Sequence, residues 1–457
     1  MISKLVEIVA RMGFNKNLFI SAHQIGDRRF YPTYKRLCQS QWEPYSEKKT
    51  KQDRNLKEMI IFVYKSVPYY HKLFNKLNIK PSDINKIEDL EKLPILTKKN
   101  IMENWRDFQP VNLNKMRYYE DSTGGSTGTP FKYRLLKYDR FLAGAMLYRG
   151  WGYASYELGD KMVFLAGSSL DVGSSSFMIK KIHEISRNIR KLSSFDMGVE
   201  DMQKYYETIN SFGPRYLRGY ASSINLFANY VMENDLEIVP LSGVFTTAEK
   251  LLPNMRRNIE DAFGCDVYDT YGLNDGGISA YECSEHNGLH IDMERSIMEV
   301  VDDKGAQVET GIGRILATSL HNYAMPFIRY DTGDMGHIIE CTCNCGRGSN
   351  LLKEIIGRQH EMLQTPEGKF VHGAFFNNYL FGRVKGVIEF QIIQTKVDKL
   401  VIKIVTNDKF DIKQLDVMRE VIHRKSEKWN IEFLFVDAID RSYAGKYKFI
   451  INEVPHA

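Results

Sequence analysis

The chain has 457 residues, too many for one hydrophobic core, so two or three domains are expected. A composition of 43% hydrophobic and 26% charged residues is that of an ordinary globular protein, and 62 basic residues interspersed with 57 acidic ones leave a net charge of only +5, which argues against a nucleic-acid binder. No apolar run approaches the ~20 residues that span a bilayer, and MISKLVEIVARMGF at the start is a short amphipathic helix without the apolar region or cleavage site of a signal peptide, so the cytoplasm is the expected compartment.

Residues 1–110 read as mostly helical. Leu56, Met59, Ile60, Val63 and Tyr64 follow helical spacing, SVPYYHKLFNKL continues it, and Ile87 to Leu93 is a short helix stopped by Pro94. Lys98 and Lys99 in LPILTKKNIMENW are expected to be surface charges. Of the two densest basic runs, Lys48 to Arg54 reads as a solvated face, whereas Lys180 to Lys191 is either another such face or an attractor for an anionic substrate.

Asp121-Ser122-Thr123-Gly124-Gly125-Ser126-Thr127-Gly128-Thr129-Pro130 concentrates glycines and hydroxyl side chains in one short stretch. Backbone N–H groups and hydroxyls there can converge on a polyanion such as a triphosphate; the alternative is a flexible turn. It is not a Walker A loop, because no Lys follows Gly128.

Strand and helix then alternate. Strands are expected at Phe131 to Leu136, Lys161 to Ala166, Tyr216 to Tyr220, Ser242 to Thr247 and Cys265 to Thr270. Helices are expected at Asp139 to Tyr148, Ser222 to Met232 and Glu249 to Phe263, and Ser168 to Ser176 is a loop. This pattern predicts an α/β core with a mostly parallel sheet whose ligands bind at the carboxyl ends of the strands. From His290 to Glu340 the alternation becomes that of antiparallel β-structure. Strands at Val387 to Ile393, Leu400 to Val405 and Ile431 to Val436, with a helix at Ile412 to Lys428, form a small α+β unit. The expected division is a large domain over 1–357, comprising a helical region over residues 1–110, an α/β core over 111–285 and a β-rich region over 286–357, followed by a small mobile α+β domain over 358–457.

Several segments together resemble the adenylate-forming (acyl-AMP) superfamily, in particular its phenylacetate–CoA ligase branch and the CapK-like proteins of capsular polysaccharide biosynthesis. They are Thr123-Gly124-Gly125-Ser126-Thr127-Gly128, Thr247-Ala248-Glu249, Asp269-Thr270-Tyr271-Gly272-Leu273-Asn274-Asp275, Ile328-Arg329-Tyr330-Asp331-Thr332-Gly333-Asp334, Gly357-Arg358 and Ala444-Gly445-Lys446. The resemblance implies that the glycine loop holds the β- and γ-phosphates of ATP and that Tyr271 lies against adenine, with Thr247, Ala248 and Glu249 on its other side. It also implies that Asp334 grips the ribose hydroxyls, that Arg358 touches the nucleotide, that Asp275 helps hold Mg²⁺ and that Lys446 is the catalytic lysine. Asp275 stands where the family has Glu, and His360-Glu361 where it usually has Asp-Asp, which leaves the hinge between domains unassigned.

Six cysteines in a chain this long are no disulfide framework. Cys341, Cys343 and Cys345 crowd one segment, and Cys283, His286 and His290 another. Zn²⁺ on Cys283, His290, Cys343 and Cys345 is expected, with His286 as the substitute for His290; the alternative is reduced buried thiols. The acyl pocket is expected near Tyr148, Tyr220 and Ala221, although both tyrosines would equally suit a core.

Three functions are compatible with these readings. One is an ATP-dependent acyl-CoA ligase acting on an aryl or other small carboxylate. A second is an adenylating enzyme that delivers an acyl or amino-acid group to a sugar or carrier in surface-polysaccharide synthesis. The third is a non-catalytic nucleotide-binding module, disfavoured by the presence of Asp334 and Lys446. The partners expected are a small carboxylate, ATP and an acyl acceptor (CoA thiol or amine), with no nucleic acid and no transmembrane segment; a homodimer is allowed.

Overall fold

The computed structural model describes residues 15–123, 131–166, 177–194, 197–339, 343–358, 362–368, 370–372, 376, 384–441 and 447–454. The expected N-terminal helix over 1–14, the loop at Ser168 to Ser176, Gly124 to Gly128, Cys341, His360, Glu361 and Lys446 lie outside the described residues.

Helices α1 (Asn15–Gly26), α2 (Phe30–Ser40), α3 (Tyr45–Ser66), α4 (Pro68–Leu77) and α5 (Lys98–Glu103) come first. A hairpin of β1 (Tyr118–Thr123) and β2 (Phe131–Leu136) and helix α6 (Lys137–Trp151) follow. The alternating region is β3 (Met162–Ala166), α7 (Phe177–Arg187), β4 (Ile189–Ser193), α8 (Val199–Phe212), β5 (Tyr216–Tyr220), α9 (Ala221–Glu233), β6 (Gly243–Thr247), α10 (Pro253–Phe263) and β7 (Val267–Leu273). Then come β8 (Ile278–Glu282), β9 (Leu289–Ile291), β10 (Ser296–Val301), β11 (Gly311–Ser319), β12 (Tyr330–Ile339) and β13 (Leu351–Arg358). The last region holds β14 (Met362–Gln364), β15 (Phe370–His372), β16 (Val387–Lys396), β17 (Lys399–Thr406), α11 (Gln414–His423), β18 (Asn430–Phe435) and β19 (Ile450–Asn452).

Eleven strands form one sheet in the order β10-β11-β12-β13-β9-β8-β7-β6-β5-β3-β4. Its β4-β3-β5-β6-β7 half is parallel, and from β7 onward every pairing is antiparallel. The parallel and antiparallel regions legible in the sequence are thus one continuous mixed sheet. Period-two alternation sorts the residues of β5 between its two faces. Leu217 packs with Met202, Ile209, Phe227 and Ile259 of α8, α9 and α10. Tyr216 packs on the other face with Phe19, Leu37, Met146 and Trp151 of α1, α2 and α6. The antiparallel half buries Ile297, Val300 and Ile315 against Leu56, Met59, Tyr70 and Phe74 of α3 and α4. A second sheet, β18-β17-β16-β19, closes with α11 around Ile392, Ile402, Met418 and Trp429.

Local chemistry sets the boundaries. Pro68 opens α4, and Asn78 ends it in the left-handed region at φ 53°. The expected helix from Glu249 begins only at Pro253, whose ring disfavours helical backbone in the residue before it; Leu252 is extended at ψ 149°. The helix expected over Ile412 to Lys428 is likewise shorter, and Asp121 to Thr123, read as loop, complete strand β1. The LPIL segment docks by a parallel bridge between Leu96 and Tyr330, which supports the Asp331 to Asp334 turn from outside the sheet.

Candidate functional site

The carboxyl ends of the parallel strands lie in register. Gly219 of β5 neighbours Thr246 of β6, which neighbours Asp269 of β7; Tyr220, Thr247 and Thr270 form the next row. Asp269 accepts hydrogen bonds from Thr246 Oγ1 at 2.7 Å and from the Thr270 N–H at 2.9 Å. Burial, then the neighbouring Glu282 charge, raises its carboxyl to about 6. Ala248, just past β6, has φ 64°, an unfavourable conformation for a residue with a Cβ, and it turns the chain so that Glu249 points inward. The Glu249 carboxylate accepts from the Ser222 N–H at 3.0 Å and from the Tyr447 N–H at 2.6 Å, so one half-buried acid joins the strand ends to the last stretch of the chain. Burial raises its pKa.

Two further acids meet two tyrosines. Tyr271 Oη donates to Asp334 Oδ2 at 3.0 Å across 63 positions of sequence. Tyr330 Oη donates to Asp275 Oδ2 at 2.6 Å. Asp334 is set by a bulged turn: Asp331 Oδ1 accepts from the Gly333 N–H at 2.9 Å, Gly333 has φ 78°, and the pairing of β11 with β12 shifts there. Thr247, Ala248, Glu249, Asp269, Thr270, Tyr271, Gly272, Asp275 and Asp334 therefore gather at the carboxyl end of one sheet. Tyr330, Ser222 and Tyr447, which hold three of the acids' hydrogen bonds, carry no sequence signal for that role. The Arg358 and Thr123 side chains, like the glycine loop and Lys446, lie outside the described residues.

On the sheet face covered by α6, Tyr148 Oη hydrogen-bonds His23 Nε2 at 3.1 Å, and Tyr220 is fully enclosed. Arg218, which precedes Gly219, is also buried there, over the rings of Trp151 and Phe164 at 5.0 and 5.3 Å. A charged residue at an inward strand position, in YLRGY, was a signal available in the sequence.

Residues 363–453 match the CapK C-terminal domain family. The chain is similar to Protein CapK of Staphylococcus aureus, 26% identical over 417 residues that span 88% of this chain and 89% of that protein. The chain is thus similar to CapK and to ligases of the phenylacetate–coenzyme A type. A phenylacetate-coenzyme A ligase of Thermus thermophilus is 26% identical over 344 residues, covering 70% of this chain and 72% of its own. Among solved structures, a 2-hydroxyisobutyryl-CoA ligase in its postadenylation state shares the fold, with a TM-score of 0.73 at 18% identity over 91% of each chain.

A second centre of this CapK-like chain lies where the β8–β9 hairpin meets the turn after β12. The ligand atoms of Cys283, His290, Cys343 and Cys345 all lie within 4.8 Å of one another. The Cys283 and Cys343 sulfurs are 3.6 Å apart, and His290 Nε2 is 3.3 Å from the sulfurs of both Cys283 and Cys345. A tetrahedral zinc with bonds of ~2.3 Å to sulfur and ~2.0 Å to nitrogen needs edges of about 3.8 and 3.5 Å, so the four residues fit that ion. His290 Nδ1 lies 3.1 Å from Ser349 Oγ, a second-layer contact that leaves Nε2 to face the sulfurs. Burial, then Arg347, Lys48 and Arg149, holds the imidazole down at about 4, hence neutral at physiological pH. His286 is engaged elsewhere, 3.1 Å from Glu282, and stands outside the cluster. No helix among the described residues is long and apolar enough to cross a membrane.

Proposed function

We propose that this chain activates a carboxylic acid with ATP. A carboxylate oxygen of the acid attacks the α-phosphorus, the bond to the pyrophosphate oxygen breaks, and acyl-adenylate and pyrophosphate result. The acyl group then passes to a thiol, coenzyme A being the first candidate, with release of AMP. The observation that carries this reading is the Tyr271–Asp334 contact, which joins two distant segments into one aromatic-and-carboxylate corner at the strand ends. An aromatic ring suits adenine, and a carboxylate suits two vicinal hydroxyls.

In this reading Thr247, Ala248, Glu249, Asp269, Thr270 and Gly272 shape the rest of the nucleotide site, with Arg358 beside it, and Thr123 to Gly128 take the leaving phosphates. Asp275 has one oxygen occupied by Tyr330, which leaves Oδ1 for Mg²⁺. The ion would neutralise phosphate charge when bound. Lys446 is assigned to the negative charge that develops between the attacking oxygen and the α-phosphate. Residues 358–457 are assigned as the small domain that moves against residues 1–357 between the two half-reactions. Cys283, His290, Cys343 and Cys345 hold a structural zinc with no ligand position spare for chemistry. The protein is assigned to the cytoplasm.

The match of residues 363–453 to the CapK C-terminal domain favours a second reading for the acceptor, an amine of a sugar or carrier in surface-polysaccharide synthesis. Carboxylate-dependent ATP–pyrophosphate exchange over a set of acids tests the first half-reaction. Exchange with none of them would remove the assignment, and product analysis with coenzyme A against an amino sugar decides the acceptor.

A further inference from the structure

Among the described residues, buried arginines are paired, with one exception. Arg134 faces Glu120, Arg149 faces Asp292 and Glu294, Arg295 faces Asp139, and Arg329 faces Glu299. Arg218 is 7% exposed and has no hydrogen bond or ion pair among the described residues; its Nε is enclosed without a partner. Its titratable neighbours among the described residues are the phenols of Tyr281, Tyr148 and Tyr220, with no carboxylate, and burial pushes the guanidinium down to about 10. The Trp151 and Phe164 ring faces offset part of the cost of burying this cation. They leave its hydrogen-bonding fork unused, and a fork of this shape matches a carboxylate.

The surroundings carry the same sign. Tyr148 feels both Arg218 and Arg187, the latter at the end of α7. His23, bonded to Tyr148, is held down at about 4 by burial and then by Arg187. No Asp or Glu among the described residues contributes to the electrostatics of Arg218, Tyr148 or His23. The position is equally specific. Arg218 lies on the α6-covered face of β5, one residue inside the Gly219–Thr246–Asp269 row, beside Tyr148 and Tyr220. It is thus next to the strand ends.

We propose that the acyl pocket takes a dicarboxylic acid: one carboxylate is activated at the strand ends, and the second is held by Arg218, with Arg187 adding positive potential. This inference rests on the carboxylate-activating reading given above and names its substrate class.

The test compares matched acids with the whole protein: succinate against butyrate, glutarate against valerate, isophthalate against benzoate. In ATP–pyrophosphate exchange, the diacid of at least one pair is expected to have a kcat/KM at least about tenfold above its monoacid, and Arg218→Met is expected to erase that ratio while Arg218→Lys retains part of it. Equilibrium dialysis of labelled glutarate and valerate with the unmodified protein gives a readout independent of turnover and of any variant's folding. Exchange with monoacids at rates equal to or above those of every diacid overturns the dicarboxylate proposal and leaves carboxylate activation standing. No exchange with any acid, alongside glutarate binding that Arg218→Met abolishes, supports the anion pocket and overturns the activating reading. No exchange and no preference for glutarate in dialysis overturns both.

Discussion

Removal of the ion assigned to Cys283, His290, Cys343 and Cys345 has a magnitude that follows from the chain path. The first and third ligands are 60 positions apart, so the ion closes a loop of that length. Treated as a cross-link on the unfolded chain, closing such a loop contributes about 4 kcal/mol. The cluster also fastens the turn at Cys343 to β8 and β9, where Cys283, Tyr281, Tyr153 and Leu351 share a small core. With an unfolding entropy of ~2.1 cal/mol/K per residue over a cooperative unit of about 350 residues, the loss lowers Tm by roughly 5 °C. The assay is differential scanning calorimetry before and after treatment with a zinc-selective chelator, with metal content measured on protein purified without chelator. Cys343→Ala should reproduce the drop, and the chelator should then have no further effect. Metal far below one equivalent, or a Tm that the chelator leaves unchanged within about 1 °C, refutes the reasoning, because the four side chains would then be reduced thiols and an imidazole packed together.

Other expectations follow from single contacts. Tyr271→Phe keeps the ring but removes the donor 3.0 Å from Asp334, a hydrogen bond to a charged group worth about 1.5–3 kcal/mol; the KM for ATP in exchange should rise roughly tenfold to a hundredfold, and an unchanged KM would count against the corner. In Gly219→Ala the new Cβ would stand 2.1 Å from the Leu165 carbonyl oxygen, so β3 and β5 must part, at a cost of about 3 kcal/mol that urea unfolding would show as a lower midpoint. Burial, with Arg187, holds His23 at about 4 against 6.5 unfolded, so the unfolded chain binds the proton first as pH falls. Stability present above pH 6.5 is then lost towards pH 4, and wild type should lose about 3 kcal/mol relative to His23→Phe across that window; parallel stability curves would show that His23 is not the group responsible.

Much of the sheet was legible because its signals are local. The bounds of β2 and β5 follow from short apolar runs, and the end of α10 at Phe263 was read correctly, whereas its start was expected at Glu249 and lies at Pro253. The pattern showed parallel and antiparallel regions, but nothing in it says that β7 continues the parallel half into the antiparallel one; that depends on pairing between β8 and β9, each only a few residues long. At the site, residue types with intrinsic chemistry were visible: Asp334 in its turn, and cysteines at alternate positions. Their supports were not. Tyr330 reaches Asp275 across 55 positions and Ser349 reaches His290 across 59, and each reads in sequence as an ordinary core or loop residue. Arg218 was visible as a misplaced charge. Its meaning depends on which acids lie nearby, and only three-dimensional packing answers that.

The charges of the sheet edge are segregated, and in the proposed reaction this orients the acid. Glu249 and Asp275 stand just beyond β6 and β7, and Asp269 and Asp334 within β7 and β12, where a nucleotide polyanion would bring further negative charge. That side needs cations to balance it, the role assigned to Mg²⁺ and Lys446. On β5 the sign is reversed, with Arg218 facing phenols and no carboxylate among the described residues, and Arg187 of α7 acts on Tyr148 from nearby. A dicarboxylate entering between the two regions has one favourable direction. Its remote carboxylate is repelled from the acids and drawn to Arg218, which leaves the near one at the strand ends, where the α-phosphate would lie. A monoacid of equal length has no such preference and leaves the guanidinium buried without an anion. Sites built around a buried polar group discriminate strongly against ligands that fail to pair it, far more than apolar pockets discriminate by size. A single arginine on an inward strand position is therefore enough to set substrate class, provided that no carboxylate of the chain's own neutralises it.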